Sequence, residues 1–360
     1  MANGGGSTVA RTRDGVRTLK RKTLLGLQRS LHYSGAARLD RRLGSRAGFI
    51  ALMYHSVPDL LRARFVDPAG AIPAEIFDKQ LSLLKKHCDV ISLSDAVAWM
   101  RGQGRLPERA VVLTFDDGYL DNLEVAAPLL RWHRLPATLF VATGYVDRQE
   151  PQWIDELFCA FRYRQRHVLE LADRSGTFDL SNERVEREAY AAVAGQMLAG
   201  DVTRRRQLLQ EVKSCLEPSR SVPRLTLSWE HLRTLRRVYP EFEVGLHSHD
   251  HVDLSALPVD AAIDEVRRSQ MRFEAELGHA ARYMSYPYGR STPELAARLP
   301  GIGVEAAFTT QPTERVTARV SPWAMPRYEV TRSLTDFRLW SEGVLPELGR
   351  RIFGQVADRA

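Results

Sequence analysis

The chain has 360 residues, 44% of them hydrophobic and 26% charged, a balance that excludes wholesale disorder. Its three cysteines, Cys88, Cys159 and Cys215, are far apart with no CxxC spacing, which argues against a disulfide framework or a thiolate zinc ribbon. The net charge of +7 would suit a polyanion partner, but residues 1–46 alone carry +9 and leave the remaining body slightly acidic.

Residues 1–46 read as a basic leader, partly disordered or helical. Met1 to Ser7 is rich in glycine, and between Val16 and Leu43 leucines fall among arginines at loosely helical spacing. No uninterrupted apolar stretch follows, which argues against a secretory signal and a transmembrane helix. Two readings of the leader stay open: a basic amphipathic helix in peripheral contact with an anionic membrane, or a solvated helix packed on the domain. The expected location is the cytoplasm or the cytoplasmic membrane surface.

An apolar run at 48–57 predicts a buried strand, and 76–88 and 93–100 predict helices, the second capped near Ser94-Asp95. A strand at 110–115, a helix at 120–133 and a strand at 137–142 then make a βαβ unit, the mark of an α/β architecture. Residues 152–235 break this rhythm with helical stretches at 154–163 and 184–215, and read as a helical insertion. Strands return at 242–246, 282–286, 306–310 and 327–330, with helices at 258–277, 293–299 and 334–340. The expected organisation is the leader 1–46, one domain over 47–345 carrying the insertion, and a tail at 346–360.

Three segments carry chemistry. Asp116 and Asp117 follow a buried strand and precede Gly118, at the end of a strand where α/β proteins build their sites. An ordinary Asp-Gly turn with a helix cap is the competing reading. His247, Ser248, His249, Asp250 and His251 follow another strand, and the spacing of four puts His247 and His251 on one side. Two imidazoles and one carboxylate suit a divalent metal with positions left open, the catalytic type of site. His249, between the pair, reads as structural. The third segment, Ser285 to Gly289, ends a strand in a Pro287-Tyr288-Gly289 turn that can present backbone N–H groups to a ligand.

Together, TFDDGY at 114–119, HSHDH at 247–251 and SYPYG at 285–289 resemble the motifs of NodB-type polysaccharide deacetylases, carbohydrate esterase family 4. The resemblance covers roughly residues 48–330. It implies a distorted, incomplete (β/α) barrel with a divalent metal, zinc above all with cobalt or nickel compatible, held by Asp117, His247 and His251. It implies Asp116 as general base, Ser248 as the residue holding the ligand loop, and the Tyr288 N–H, in the turn begun by Pro287, as oxyanion donor. The family's C-terminal Leu-x-His is missing, and Ser285 stands where an arginine is usual. His55, in Met53-Tyr54-His55-Ser56, resembles the general acid of the permuted, exopolysaccharide-processing branch, and Arg327 is a candidate for the missing arginine. A strand-end His55 that only caps a carbonyl, and a surface Arg327, are the plainer alternatives.

The function expected is therefore removal of N-acetyl groups from an N-acetylated glycan. A barrel amidohydrolase acting on a small cyclic amide or formamide, and a noncatalytic glycan-binding protein, are the alternatives. No glycine-rich phosphate loop or interleaving of aromatic and basic residues points to nucleic acid. Adjacent acids also cannot flank a sugar at the roughly 5–9 Å of glycosidase chemistry.

Overall fold

The computed structural model describes residues 47–171, 177–310 and 315–343; the leader and the tail lie outside them. Among the described residues the strands run in chain order as β1 (Ile50–Tyr54), β2 (Asp89–Val90), β3 (Ala110–Phe115), β4 (Ala137–Val141), β5 (Val168–Glu170), β6 (Thr177–Asp179), β7 (Phe242–Leu246), β8 (Tyr283–Ser285), β9 (Ala306–Phe308) and β10 (Tyr328–Glu329). Eight form one sheet ordered β10-β1-β3-β4-β7-β8-β9, with β2 beside the start of β3. Every pairing in it is parallel.

All residues of β1, β3 and β4 are buried, as their continuous apolar runs require of strands covered on both faces. Successive side chains enter different cores. Ile50, Leu52, Val111, Leu113 and Phe115 pack towards the helices with Phe77, Leu130 and Phe273. Phe49, Ala51, Ala110 and Val112 pack with Phe140, Tyr283 and Phe308 on the inner face. The sheet curls, and the segment 325–330 spans its two edges. Met325 N donates to Ala307 O at 2.9 Å beside β9, while Leu52 of β1 pairs with Tyr328. The expected distorted (β/α) barrel is borne out, with a two-residue strand as its seam.

Local details depart from expectation. Ser92, rather than Ser94, caps the helix Leu93–Met100 by accepting from Asp95 N. The helix expected over 120–133 begins with a π-helical turn at Asn122–Ala126 before Ala127–His133. The long helix of the insertion is two, Glu183–Ala199 and Val202–Leu216, broken at Gly200-Asp201, where Asp201 caps the second through Arg204 N.

The insertion has its own apolar core. Trp153–Arg162, both of those helices and the antiparallel pair β5–β6 bury Leu157, Phe161, Leu169, Val193, Met197, Leu208 and Val212 together. The helix Trp229–Val238 does not join it. Its Trp229, Leu232 and Leu235 sit in the main core, so the separate unit ends short of the expected 235.

Candidate active site

Parallel strands deliver their carboxyl ends to one rim. Asp116 and Asp117 leave β3, His247 to His251 leave β7, Tyr286 to Gly289 leave β8, and His55 leaves β1. Asp116 keeps the inward parity of Val112 and Thr114. Asp117 then turns to φ 72°, so the two acids diverge. Ser248, His251 and Tyr288 also take positive φ, at 60°, 50° and 58°. Such backbone is costly for residues with a Cβ, and it gathers where side chains are held for a purpose. Gly289 shares the need, since a Cβ there would overlap the Thr310 side chain.

Asp117, His247 and His251 converge as the spacing suggested, with one ligand atom from each within 4.8 Å of the others. The hydrogen-bond network assigns the imidazole tautomers. His247 Nδ1 lies 2.9 Å from the Ser285 carbonyl, a pure acceptor, so Nδ1 carries the proton. The Tyr288 hydroxyl lies 3.2 Å from His251 Nδ1, receives Trp153 Nε1–H at 3.2 Å and donates to His251 O at 3.3 Å. With that proton directed to His251 O, the hydroxyl accepts from His251 Nδ1, the assignment that leaves Nε2 free for a metal. Both Nε2 lone pairs therefore face Asp117 Oδ1, at 3.4 and 3.1 Å. That oxygen is buried without a hydrogen-bond donor. A carboxylate facing two lone pairs in a buried spot is unfavourable by itself and fits a cation.

Asp116 has a different environment. Arg327 donates to both of its oxygens at 2.7 Å, and the guanidinium is wholly buried. That guanidinium also reaches Thr114 Oγ1 at 3.1 Å and lies against the Phe140 and Phe308 rings. Ser285 Oγ adds a bond to Asp116 Oδ1 at 3.1 Å and meets His247 Nδ1 at 2.7 Å. Burial opposes ionisation of Asp116, but the charge of Arg327 and then that of His247 leave its pKa below the ordinary value.

These residues open on a cavity of about 660 Å³ lined by His55, Asp116, Asp117, His247, His251 and Tyr288. His55 is part-buried there, and its carbonyl accepts from Asn122 Nδ2 at 2.8 Å. Pro287 is buried rather than among the residues lining the cavity. Ser248 Oγ accepts from His251 N at 3.0 Å, which holds the ligand loop. His249 turns away to Thr143 Oγ1 at 2.9 Å.

Sequence reasoning missed the side chains that act behind this front. The Ser285 hydroxyl was visible only as a departure from a motif. Asp121, which accepts from Ser56 Oγ at 2.5 Å and Val57 N at 3.0 Å next to His55, read as part of a helix. Trp153 and Arg205 of the insertion gave no signal, because their contacts to residues 251 and 288 are remote in sequence.

A parallel-stranded barrel with an Asp-His-His cluster at its carboxyl rim defines the class as a barrel protein with a divalent-metal type of centre. Residues 103–307 match the family model for polysaccharide deacetylase. That match spans more than half of the chain, which belongs to the polysaccharide deacetylase family. The expectation of a carbon–nitrogen hydrolase of this kind agrees with the family. Among solved structures, the Streptococcus pyogenes deacetylase PplD in complex with acetate aligns with a TM-score of 0.54 at 16% identity, over 83% of this chain and 97% of that one. IcaB from Ammonifex degensii aligns with a TM-score of 0.53 at 20% identity, over 82% and 97%. These likenesses are of fold. A poly-beta-1,6-N-acetyl-D-glucosamine N-deacetylase of Staphylococcus aureus (strain MSSA476) is 32% identical over 73 residues, 20% of this chain and 25% of that protein. The Escherichia coli (strain K12) protein of the same name is 31% identical over 102 residues, 28% and 15% of the two chains. The chain thus spans a quarter or less of these relatives' length.

Proposed function

We propose that this chain hydrolyses the N-acetyl groups of an N-acetylglucosamine polymer with the help of one divalent metal ion, zinc in the first instance. The observation that carries the proposal is Asp117 Oδ1, buried without a donor and faced by two imidazole lone pairs, beside the separately anchored Asp116. A divalent ion held by Asp117, His247 and His251 supplies Lewis acidity and lowers the pKa of water towards about 7.

The chain's own residues do the rest. Asp116, kept ionised by Arg327, accepts a proton from the attacking water. His55, on the same cavity, gives a proton to the departing amine as the amide C–N bond breaks, leaving acetate and a free amino sugar. The Tyr288 N–H faces the developing oxyanion, a contact of the kind that supplies about 3–4 kcal/mol. Pro287 sets the turn that presents this N–H. Cobalt and nickel suit the same donor set.

Among the described residues no helix is long and apolar enough to cross a membrane. The charge of residues 1–46 supports peripheral contact with an anionic membrane at the cytoplasmic face.

The test is product analysis with zinc-loaded protein on N-acetylglucosamine oligomers and on small cyclic amides. Equal amounts of acetate and new amine from the oligomers are expected. Absence of acetate from every N-acetyl glycan, or turnover of the cyclic amides alone, would overturn the proposal.

A further inference from the structure

The insertion reaches the metal cluster from behind. Arg205, on its helix Val202–Leu216, is only 3% exposed. Its Nε donates to Met197 O at 3.2 Å, and its Nη1 donates to His251 O at 3.3 Å. The guanidinium lies 5.4 Å over the Trp153 ring. Among the described residues no carboxylate pairs with it. A buried cation without a counter-ion is expensive, and a leucine would serve the insertion's apolar core better. Arg205 is held by Met197 O and the Tyr145 side chain, and through Nη1 it reaches the carbonyl of His251, a residue at φ 50°.

Trp153 completes the arrangement. Its Nε1–H donates to the Tyr288 hydroxyl, and that hydroxyl lies 3.2 Å from His251 Nδ1. The backbone and the ring of His251 are thus each tied to the insertion, one through Arg205 and the other through Trp153 and Tyr288. His247 has no such dependence, since the barrel's own Ser285 fixes its ring.

We infer that Arg205 and Trp153 are positioning residues that set His251 as a metal ligand, so that the helical insertion is part of the metal site. This rests on the metal-site reading above. Partners of this kind alter metal affinity by roughly 10–100-fold when removed.

The test is zinc affinity of the full chain, measured by competition with a chromogenic chelator, together with the visible absorption of the cobalt-substituted protein. Arg205→Met and Trp153→Phe should each raise the zinc Kd about 10–100-fold and change the cobalt spectrum. Arg205→Lys, which keeps a donor, should recover part of the affinity. Leu208→Ala, in the same insertion core, should lower Tm with zinc Kd and cobalt spectrum unchanged. If Arg205→Met does not fold, Trp153→Phe decides alone, since it removes the N–H while keeping an aromatic ring. Zinc Kd within about twofold of wild type in folded Arg205→Met and Trp153→Phe would overturn the inference, as would equal weakening by Leu208→Ala. A wild-type chain that binds no divalent ion would instead overturn the metal-site reading on which it rests.

Discussion

Arg327 grips Asp116 with both terminal nitrogens, each 2.7 Å from a carboxylate oxygen, and both side chains are buried. Removing one partner of such a pair strands the other charge, at about 3–5 kcal/mol. Arg327→Met should therefore destabilise the chain by about that amount in urea unfolding. Arg327→Lys retains charge but not the planar fork. It should lose less stability, with kcat lowered roughly 100-fold, as expected of a misplaced base.

The crowding at Asp117 gives a prediction of opposite sign for two states. In metal-free protein its Oδ1 faces two lone pairs, so Asp117→Asn, which brings amide donors, should leave Tm unchanged or raise it. Zinc should raise the Tm of wild type, because a ligand bound to the native state stabilises it. That rise should vanish in Asp117→Asn and in His247→Ala. A scan with and without zinc checks both effects.

Much of this site was legible in the sequence. Strands β1, β3 and β4 announce themselves as apolar runs because both of their faces are covered. The acids and histidines sit directly after such runs, where the rim of the sheet must lie. Arg327 was harder to place, since its segment pairs through a strand of only two residues and the sheet's curl decides what it reaches. The wiring behind the site was not legible. Trp153 and Arg205 look like ordinary residues of amphipathic helices, and only the docking of the insertion aims them at Tyr288 and His251. The helix break at Gly200-Asp201 did carry a local signal, a glycine followed by a good N-cap, which the surrounding helical periodicity obscured.

His55 is proposed to act on the leaving group and is not among the metal ligands. His55→Ala should lower kcat by roughly 10²–10⁴-fold while the zinc Kd stays unchanged. Activity that survives the substitution undiminished would remove His55 as the acid.

Asp121 supports the turn that carries His55, and burial pushes its carboxyl up to about 6. A raised folded-state pKa means that the native state holds its proton more tightly than the unfolded chain does. The stability it contributes is complete below about pH 4 and is lost as pH rises towards 6, roughly 2–3 kcal/mol over that window. Asp121→Asn does not titrate. Its stability relative to wild type should rise by that amount between pH 4 and 6, as measured by urea unfolding at each pH.

In the proposed mechanism Asp117, His247 and His251 hold a catalytic cation. The most direct measurement is acetate release from N-acetylglucosamine oligomers by chelator-stripped protein as zinc is returned in increments. Negligible activity is expected in the stripped protein, with recovery that saturates at one zinc per chain and none regained by His247→Ala or Asp117→Asn. Full acetate release by stripped protein without measurable metal would contradict it.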